Sequence, residues 1–407
     1  MTLVRNSHST SQQQGIRVLL VAEGSGGHLI PALEVSRALV RLGASVMLLY
    51  AKRRQAASLL DELIQDAHAE GVQVHPVPLS PPPIQAFRWM WRIWQGGSAW
   101  RLAQERFRAF RPQTAVGFGG WLSVPVILAA RRRRIPVLLH EQNVRLGRAN
   151  EFLLPWADQM ALSFPACPDA CPPRAEQGRR GHKAGREQTR TQLNGTPVVI
   201  TGLPIRHTIG MAHRDDAARR FGLDPHALTV FILGGSQGSR AINQLVCEML
   251  GGLSWPERRA WQFLHLTGPH DHAAVQQAYA ALELRCWVAP SLAEVEKVYA
   301  LADVVVARAG ASTIAELACI GKPAILIPYP HARGHQRANA QLVETTGAGF
   351  RLEEAAATPQ RLLSLLRQCL SDDHLRRMMG SRMQTLAHPD ATQQLASAIM
   401  NLAQRHA

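Results

Sequence analysis

The sequence predicts an α/β protein built as two doubly wound parallel-sheet domains in tandem. Three observations carry that reading. Short apolar runs of strand length alternate with amphipathic stretches of helix length along most of the chain. In each half one such run ends at once in a glycine-rich loop that opens a helix, the layout of a βαβ unit. The 407 residues leave room for roughly two or three domains, and an apolar fraction of 46% supplies their cores.

The first half begins with Ile16-Arg17-Val18-Leu19-Leu20-Val21-Ala22. Glu23-Gly24-Ser25-Gly26-Gly27-His28 follows, then apolar residues at helical spacing from 31 to 42, with Gly43 as the stop. Residues 45–50 read as the next strand, and 114–117 and 136–140 as later ones. In the second half, 198–201 reads as the opening strand and 229–233 runs into Gly234-Gly235-Ser236-Gln237-Gly238. Residues 303–307 and 323–328 are short buried strands, each alternating with a helix. Residues 166–196 are rich in Pro, Gly, Arg and Gln and almost free of apolar periodicity, which marks an exposed basic linker or insertion. The expected division is 16–165, the 166–196 linker, 197–385, and a closing helix in 386–407 that packs back on the first domain.

A net charge of +15, mostly from arginine, suits an anionic partner: nucleic acid, an acidic membrane or a phosphorylated substrate. No nucleic-acid-binding motif accompanies it, so nucleic acid is not expected. Of six scattered cysteines only Cys167 and Cys171 are close together, which makes neither a zinc site nor a disulfide framework and predicts reduced, cytosolic thiols. The polar residues 1–14 predict no secretory signal, and no run of about 18 apolar residues is present to span a bilayer. Any membrane contact is expected to be peripheral.

Glycines in the loop 24–27 admit left-handed backbone and let N–H groups approach a ligand, while the helix start behind them favours an anion. A plain tight turn would look the same. The spacing is neither the dinucleotide G-x-G-x-x-G nor the G-x-x-x-x-G-K-[ST] of ATPases, so nicotinamide cofactors and ATP hydrolysis are disfavoured. The loop 234–238 has the same placement in the other half, and two such loops imply a ligand, or two ligands meeting, in the cleft between. A third turn, Arg308-Ala309-Gly310-Ala311-Ser312-Thr313-Ile314-Ala315-Glu316, offers N–H groups to phosphate and a carboxylate to a diol such as ribose. Its Ser-Thr-x-x-Glu pattern is equally an ordinary capping box.

Several blocks together resemble one family. They are Gly24-Ser25-Gly26-Gly27-His28 with Pro31, Gly117-Phe118-Gly119-Gly120-Trp121-Leu122-Ser123-Val124-Pro125, and Ile135-Pro136 with His140-Glu141-Gln142-Asn143. Thr201-Gly202-Leu203-Pro204-Ile205-Arg206, Gly234-Gly235-Ser236-Gln237-Gly238, His265-Leu266-Thr267-Gly268 and the block 302–340 follow. The family is that of the undecaprenyl-diphospho-muramoylpentapeptide β-N-acetylglucosaminyltransferases, in glycosyltransferase family 28. The blocks keep family order and cover most of the chain outside 51–110, 166–196 and the C-terminal tail.

The resemblance implies GT-B architecture: two Rossmann-like domains facing across a cleft, the acceptor domain first and the UDP-GlcNAc domain second. It implies inverting transfer of GlcNAc from UDP-GlcNAc to the C4 hydroxyl of MurNAc-pentapeptide on undecaprenyl diphosphate (lipid I), giving lipid II for peptidoglycan at the cytoplasmic face of the plasma membrane. By position, Ser236 and Gln237 correspond to the nucleotide-phosphate loop, Arg206 to a diphosphate arginine, Glu316 to the ribose-binding carboxylate and Leu292 to a backbone contact with uracil. Ala311, Ser312, Thr313 and Ile314 would line the diphosphate, and Gln336 and Asn339 the sugar hydroxyls. Ser25, Gly26, Gly27 and Asn143 would reach the donor sugar from the first domain. Four departures stand out: Glu23 where the family loop has glycine, Trp121 for tyrosine, Leu203 for asparagine, and Pro290-Ser291-Leu292-Ala293-Glu294-Val295 in the uracil region.

Inversion requires one in-line displacement, a base for the acceptor hydroxyl, and stabilisation of the departing diphosphate. Helix N-termini with Arg206 suit the last task without a metal, so no cofactor is obligatory; Mg²⁺ is expected at most as an aid at the acceptor diphosphate. Two candidates for the base stay open: His28, with an ordinary pKa of about 6.5, and Glu141, a carboxylate that burial would raise. Binding acceptor phosphate and anchoring a loop are their respective alternative roles. Ile84, Phe87, Arg88, Trp91 and Trp94, with Trp121, combine aromatic area and arginines in a pattern that suits an anionic membrane surface, although a helix core also holds tryptophans at this spacing. The resemblance implies a hydrophobic membrane patch here and allows contacts with other cell-wall synthesis proteins. The rival readings are a UDP-GlcNAc epimerase, a related lipid glycosyltransferase, and a non-catalytic UDP-sugar-binding scaffold.

Overall fold

A computed structural model of the chain describes residues 15–52, 58–78, 88–165, 192–235, 237–331 and 334–406. Among them, β1 (Arg17–Ala22), β2 (Ser45–Lys52), β3 (Gln73–Pro78), β4 (Thr114–Gly117), β5 (Val137–Glu141), β6 (Gln159–Leu162), β7 (Gln192–Leu193) and β8 (Thr196–Ile200) form one sheet. Its order is β3-β2-β1-β4-β5-β6-β8-β7, parallel except for the β7–β8 pair. The strands β9 (Leu228–Leu233), β10 (Trp261–Leu266), β11 (Cys286–Ala289), β12 (Val304–Ala307), β13 (Ala324–Leu326) and β14 (Gly349–Arg351) form a second, parallel sheet in the order β11-β10-β9-β12-β13-β14.

Helices cover both faces of each sheet, so the central strands are apolar without alternation: Val18 to Ala22 are all fully buried. Strand order reverses between β1 and β4 and again between β9 and β12. Ligands bind in such sheets at the crevice beyond the carboxyl ends of those strands, and three of the glycine turns read from the sequence sit there.

The strand expected to open the second domain belongs instead to the first. β8 pairs in parallel with β6, Met160 opposite Val198, so the first domain resumes after the 166–196 segment and the boundary at 197 moves past Ile200. An apolar run of five residues carries no address; the open edge of β6 decides where it pairs. At the other end of the chain, the helix Ala391–Arg405 lies against the helix Gly26–Arg41 and buries Leu395, Ala396, Ile399 and Leu402 in the first domain's core. At roughly 1.5–3 kcal/mol per buried aliphatic side chain, that contact firmly ties the chain end across the domain boundary. Val144, Phe164 and Leu203 of the first half pack into the core of the second, so the two lobes share an apolar seam.

Residues 166–191, with Cys167 and Cys171, lie outside the described residues, as do Ile84, Phe87 and Ser236. The side chains of Arg88, Trp91 and Trp94, in the first turns of the helix Arg88–Phe110, do so too. The described cysteines Cys247, Cys286, Cys319 and Cys369 are free thiols. No helix among the described residues is long and apolar enough to cross a membrane.

Candidate active site

β1 delivers the chain into the turn 23–25, and Ser25 stands at the N-cap of the helix Gly26–Arg41. Ser25 Oγ and His28 Nδ1 are 2.8 Å apart, which fixes the plane of the imidazole. His28 lines a cleft of about 660 Å³ together with Gly119, Gly120, Trp121, Arg148 and Asn150 of the first domain. The chain accommodates Glu23 because Gly120 faces it. With φ at +80°, a Cβ on Gly120 would stand 2.4 Å from Glu23 Oε2, so the carboxylate occupies the space that a side chain there would need. The Trp121 ring lies over Gly96 of the helix Arg88–Phe110, walling the same cleft.

Glu141, at the end of β5, is buried and accepts four hydrogen bonds. Oε1 receives Asn143 N (3.1 Å) and Asn143 Nδ2 (3.2 Å), and Oε2 receives Gly147 N (2.8 Å) and Asn150 Nδ2 (2.8 Å). That is loop-anchoring geometry. The loop reaches the other domain: Val144 N donates to Asn339 Oδ1 (3.0 Å), while Asn339 Nδ2 donates to Asn143 Oδ1 (3.0 Å) and Ala309 O (3.0 Å). The fully buried Asn339 thus has both ends of its amide engaged at the domain contact. Gln336 Oε1 accepts from Tyr329 N at 2.9 Å, and His335 Nδ1 lies 3.2 Å from Arg145 O across the cleft.

Below this loop His140 is fully buried, its Nε2 3.3 Å from Gly202 O and its Nδ1 3.1 Å from Gln142 Nε2. Burial holds its pKa down to about 4, so the ring is neutral and structural.

On the second domain, β9 runs into the 234–238 loop, with Gln237 exposed, and Ser239 caps the helix Arg240–Leu250. The loop folds onto the turn after β10. At Gly238, φ is +76° and a Cβ would stand 2.0 Å from Thr267 O, so only glycine fits. Arg308, which sequence reasoning did not single out, bonds Ser239 Oγ at 2.8 Å and pairs with Glu354, tying this loop to the end of β12.

The helix Ala311–Ile320 starts at Gly310, and the capping box is not formed: Ser312 and Thr313 are already inside the helix. Ser312 Oγ is buried without a hydrogen-bond partner among the described residues. Glu316, one turn on, is buried. Its Oε2 accepts from Tyr299 Oη at 2.9 Å and its Oε1 lies 3.8 Å from Arg206 Nη2. Burial pushes the Glu316 carboxyl above its ordinary range, and Arg206 and the Tyr299 hydrogen bond pull it back. Arg206 also donates to Ala293 O at 3.0 Å, which brings the turn holding the half-buried Leu292 beside Glu316. Arg206 and Glu316, 110 positions apart by number, are thus neighbours, with the turn of Leu292 tied to Arg206 and Ser312 one helical turn before Glu316. Tyr299 was missed because one tyrosine in an apolar helix gives no sign that its hydroxyl meets a carboxylate.

Residues 18–162 match the glycosyltransferase family 28 N-terminal domain, and residues 229–395 match the glycosyltransferase family 28 C-terminal domain. The UDP-N-acetylglucosamine–N-acetylmuramyl-(pentapeptide) pyrophosphoryl-undecaprenol N-acetylglucosamine transferase of Mesorhizobium japonicum is 32% identical over 93% of this chain and 93% of its own length. The protein of the same name from Desulforamulus reducens is 29% identical over 96% of this chain and 100% of its own. The crystal structure of MurG from Acinetobacter baumannii superposes with a TM-score of 0.69 at 26% identity, covering 95% of this chain and 99% of that one.

Proposed function

We propose how this cleft works from one premise: the chain belongs to glycosyltransferase family 28 and, within it, to the UDP-N-acetylglucosamine–N-acetylmuramyl-(pentapeptide) pyrophosphoryl-undecaprenol N-acetylglucosamine transferases. It is a glycosyltransferase of peptidoglycan synthesis that moves GlcNAc from UDP-GlcNAc to lipid I.

One observation carries the donor site. A buried carboxylate, Glu316, stands one turn behind a buried, unpartnered hydroxyl, Ser312, at the start of a ten-residue helix. A nucleoside diphosphate answers each feature. Its ribose diol donates to Glu316, and its phosphates take the Ser312 hydroxyl and the N–H groups of Ala311, Ser312 and Thr313, since the Ile314 N–H is already bonded to Gly310 O at 3.1 Å. Ser236 and Gln237, which precede the helix Arg240–Leu250 in sequence, bind the phosphates, with Arg206 as counter-charge and the Leu292 backbone on uracil. Gln336, Ser25, Gly26 and Gly27 address the donor sugar, while Asn143 and Asn339 hold the two domains together beside it.

The acceptor enters the cleft of His28, Trp121 and Arg148, and His28 is the base. For Nε2 to take the C4 hydroxyl proton, Nδ1 must carry the ring hydrogen and donate it to Ser25 Oγ, the contact of 2.8 Å. With its four donors, Glu141 serves the loop. The diphosphate leaves against helix N-termini and Arg206. Mg²⁺ would act only as an aid at the acceptor diphosphate, where it would neutralise phosphate charge. The net charge of +15 and a lipid-borne acceptor support peripheral docking on an anionic cytoplasmic leaflet, through the 84–94 segment with Trp121.

The test is radiolabelled UDP-GlcNAc with a soluble lipid I analogue. Glu316→Ala raises donor KM and His28→Ala lowers kcat; unchanged kinetics in both would overturn these roles. UDP-GlcNAc alone gives no UDP-ManNAc, which separates transferase from epimerase, and UDP release with the lipid I analogue separates it from an idle scaffold.

A further inference from the structure

The residue that sets how Glu316 meets the ribose is one that no motif announces. Tyr299 sits on the helix Val295–Leu301, fully buried, and its ring packs edge-on against Phe231 of β9 at 5.3 Å and 83°. That contact fixes the ring plane and therefore the direction of the hydroxyl. The hydroxyl donates to Glu316 Oε2 at 2.9 Å. The other carboxylate oxygen faces Arg206 at 3.8 Å, and Arg206 is itself held by Ala293 O. A carboxylate has about four acceptor positions. With one taken by the phenol and one turned to the guanidinium, the carboxylate plane is fixed and so are its remaining acceptor positions. Burial drives the Tyr299 phenol well above its ordinary range, and the neighbouring Glu316 adds to this, so the hydroxyl stays a donor at all working pH values.

We infer that Tyr299 is a positioning residue for ribose recognition. It holds the Glu316 carboxylate so that both oxygens meet a vicinal diol, and it thereby makes the donor site selective for a ribonucleoside diphosphate over its 2′-deoxy counterpart. This rests on the reading that Glu316 binds the ribose. A carboxylate free to rotate still attracts one hydroxyl but loses the paired geometry, so freeing it weakens the diol more than the single alcohol.

The experiment measures Kd for UDP and 2′-deoxy-UDP by calorimetry on the full chain, with melting temperature and steady-state kinetics, for wild type, Tyr299→Phe, Phe231→Leu and Glu316→Ala. Tyr299→Phe removes only the hydroxyl. It is expected to weaken UDP by about 5- to 30-fold, the scale of one hydrogen bond to a charged group. It should weaken 2′-deoxy-UDP clearly less, and raise donor KM while kcat stays within about twofold. Phe231→Leu, which keeps the hydroxyl but loosens the ring, gives the same selective loss at smaller size and covers the case in which Tyr299→Phe does not fold. Glu316→Ala abolishes the preference for UDP. If it leaves that preference intact, the ribose reading of Glu316 itself is wrong. If Glu316→Ala abolishes it while Tyr299→Phe and Phe231→Leu leave the UDP to 2′-deoxy-UDP ratio unchanged, the Tyr299 inference alone falls. Equal weakening of both nucleotides with a lowered melting temperature also overturns it, since that is the mark of a packing role.

Discussion

Replacing Glu141 with glutamine separates a base from an anchor, because the two roles predict opposite patterns. The carboxylate is 2% exposed and accepts four hydrogen bonds, two on each oxygen. An amide keeps an acceptor toward one pair and turns an NH₂ toward the other, for instance toward Gly147 N and Asn150 Nδ2. Two bonds to a charged acceptor are lost, nominally about 1.5–3 kcal/mol each. Allowing the loop to relax, roughly 3 kcal/mol of local order is lost. At about 2–4 °C per kcal/mol for domains of 150–250 residues, the first domain should melt about 6–12 °C lower. The loop carries Asn143 and Val144 onto Asn339, so loosening it also raises KM for donor and acceptor and lowers kcat, while the pH profile of the residual activity keeps its wild-type shape. Differential scanning calorimetry and kcat and KM across pH are the assays. Wild-type melting with kcat lost alone and both KM values unchanged would refute the anchor and make Glu141 the base.

Three further outcomes follow from the same geometry. Asn339→Ala deletes three hydrogen bonds, two of them across the domain contact, so the lobes should scatter X-rays as a more open pair and kcat/KM should fall by about 10²-fold or more, at 1.4 kcal/mol per decade; an unchanged scattering profile argues against the latch. Gly238→Ala forces a Cβ to within 2.0 Å of Thr267 O at a positive φ, so UDP affinity should be lost while the first domain melts normally; wild-type UDP binding would show that the loop gives way freely. Buried His140 and His265 have folded pKa values of about 4 and about 3, both below the unfolded value of about 6.5. The unfolded chain therefore binds more protons through that window. The stability from keeping both rings neutral is complete above pH 6.5 and is lost as pH falls toward 4, by up to about 1.4 kcal/mol per pH unit for each ring. Urea titrations at several pH values measure the slope. His265→Gln should make it shallower, and an identical slope would remove His265 from the account.

The alternation of strands and helices, the glycine turns after β1, β9 and β12, and the family itself could all be read from the residues in order. Each depends on periodicity or spacing within a few tens of positions. Glu316 beside Ser312 was legible for the same reason, and only the helix start at Gly310 shows that the pair does not form a capping box. Glu141 shows where such reading stops: a carboxylate following a strand is a base or an anchor according to which four hydrogens face it, and two of those come from Gly147 and Asn150 on a folded-back loop.

The chain order alone thus determined the two-lobed architecture and its glycine turns, because backbone geometry and apolar patterning are local properties of a sequence, while the motif blocks implied the family. Only the tertiary structure decided that β8 closes the first sheet, that Tyr299 steers Glu316, and that Asn339 receives Val144 from 195 positions away. Those outcomes depend on which polar groups are left without water when the core closes. Nearness in three dimensions, not in sequence, satisfies a buried donor or acceptor.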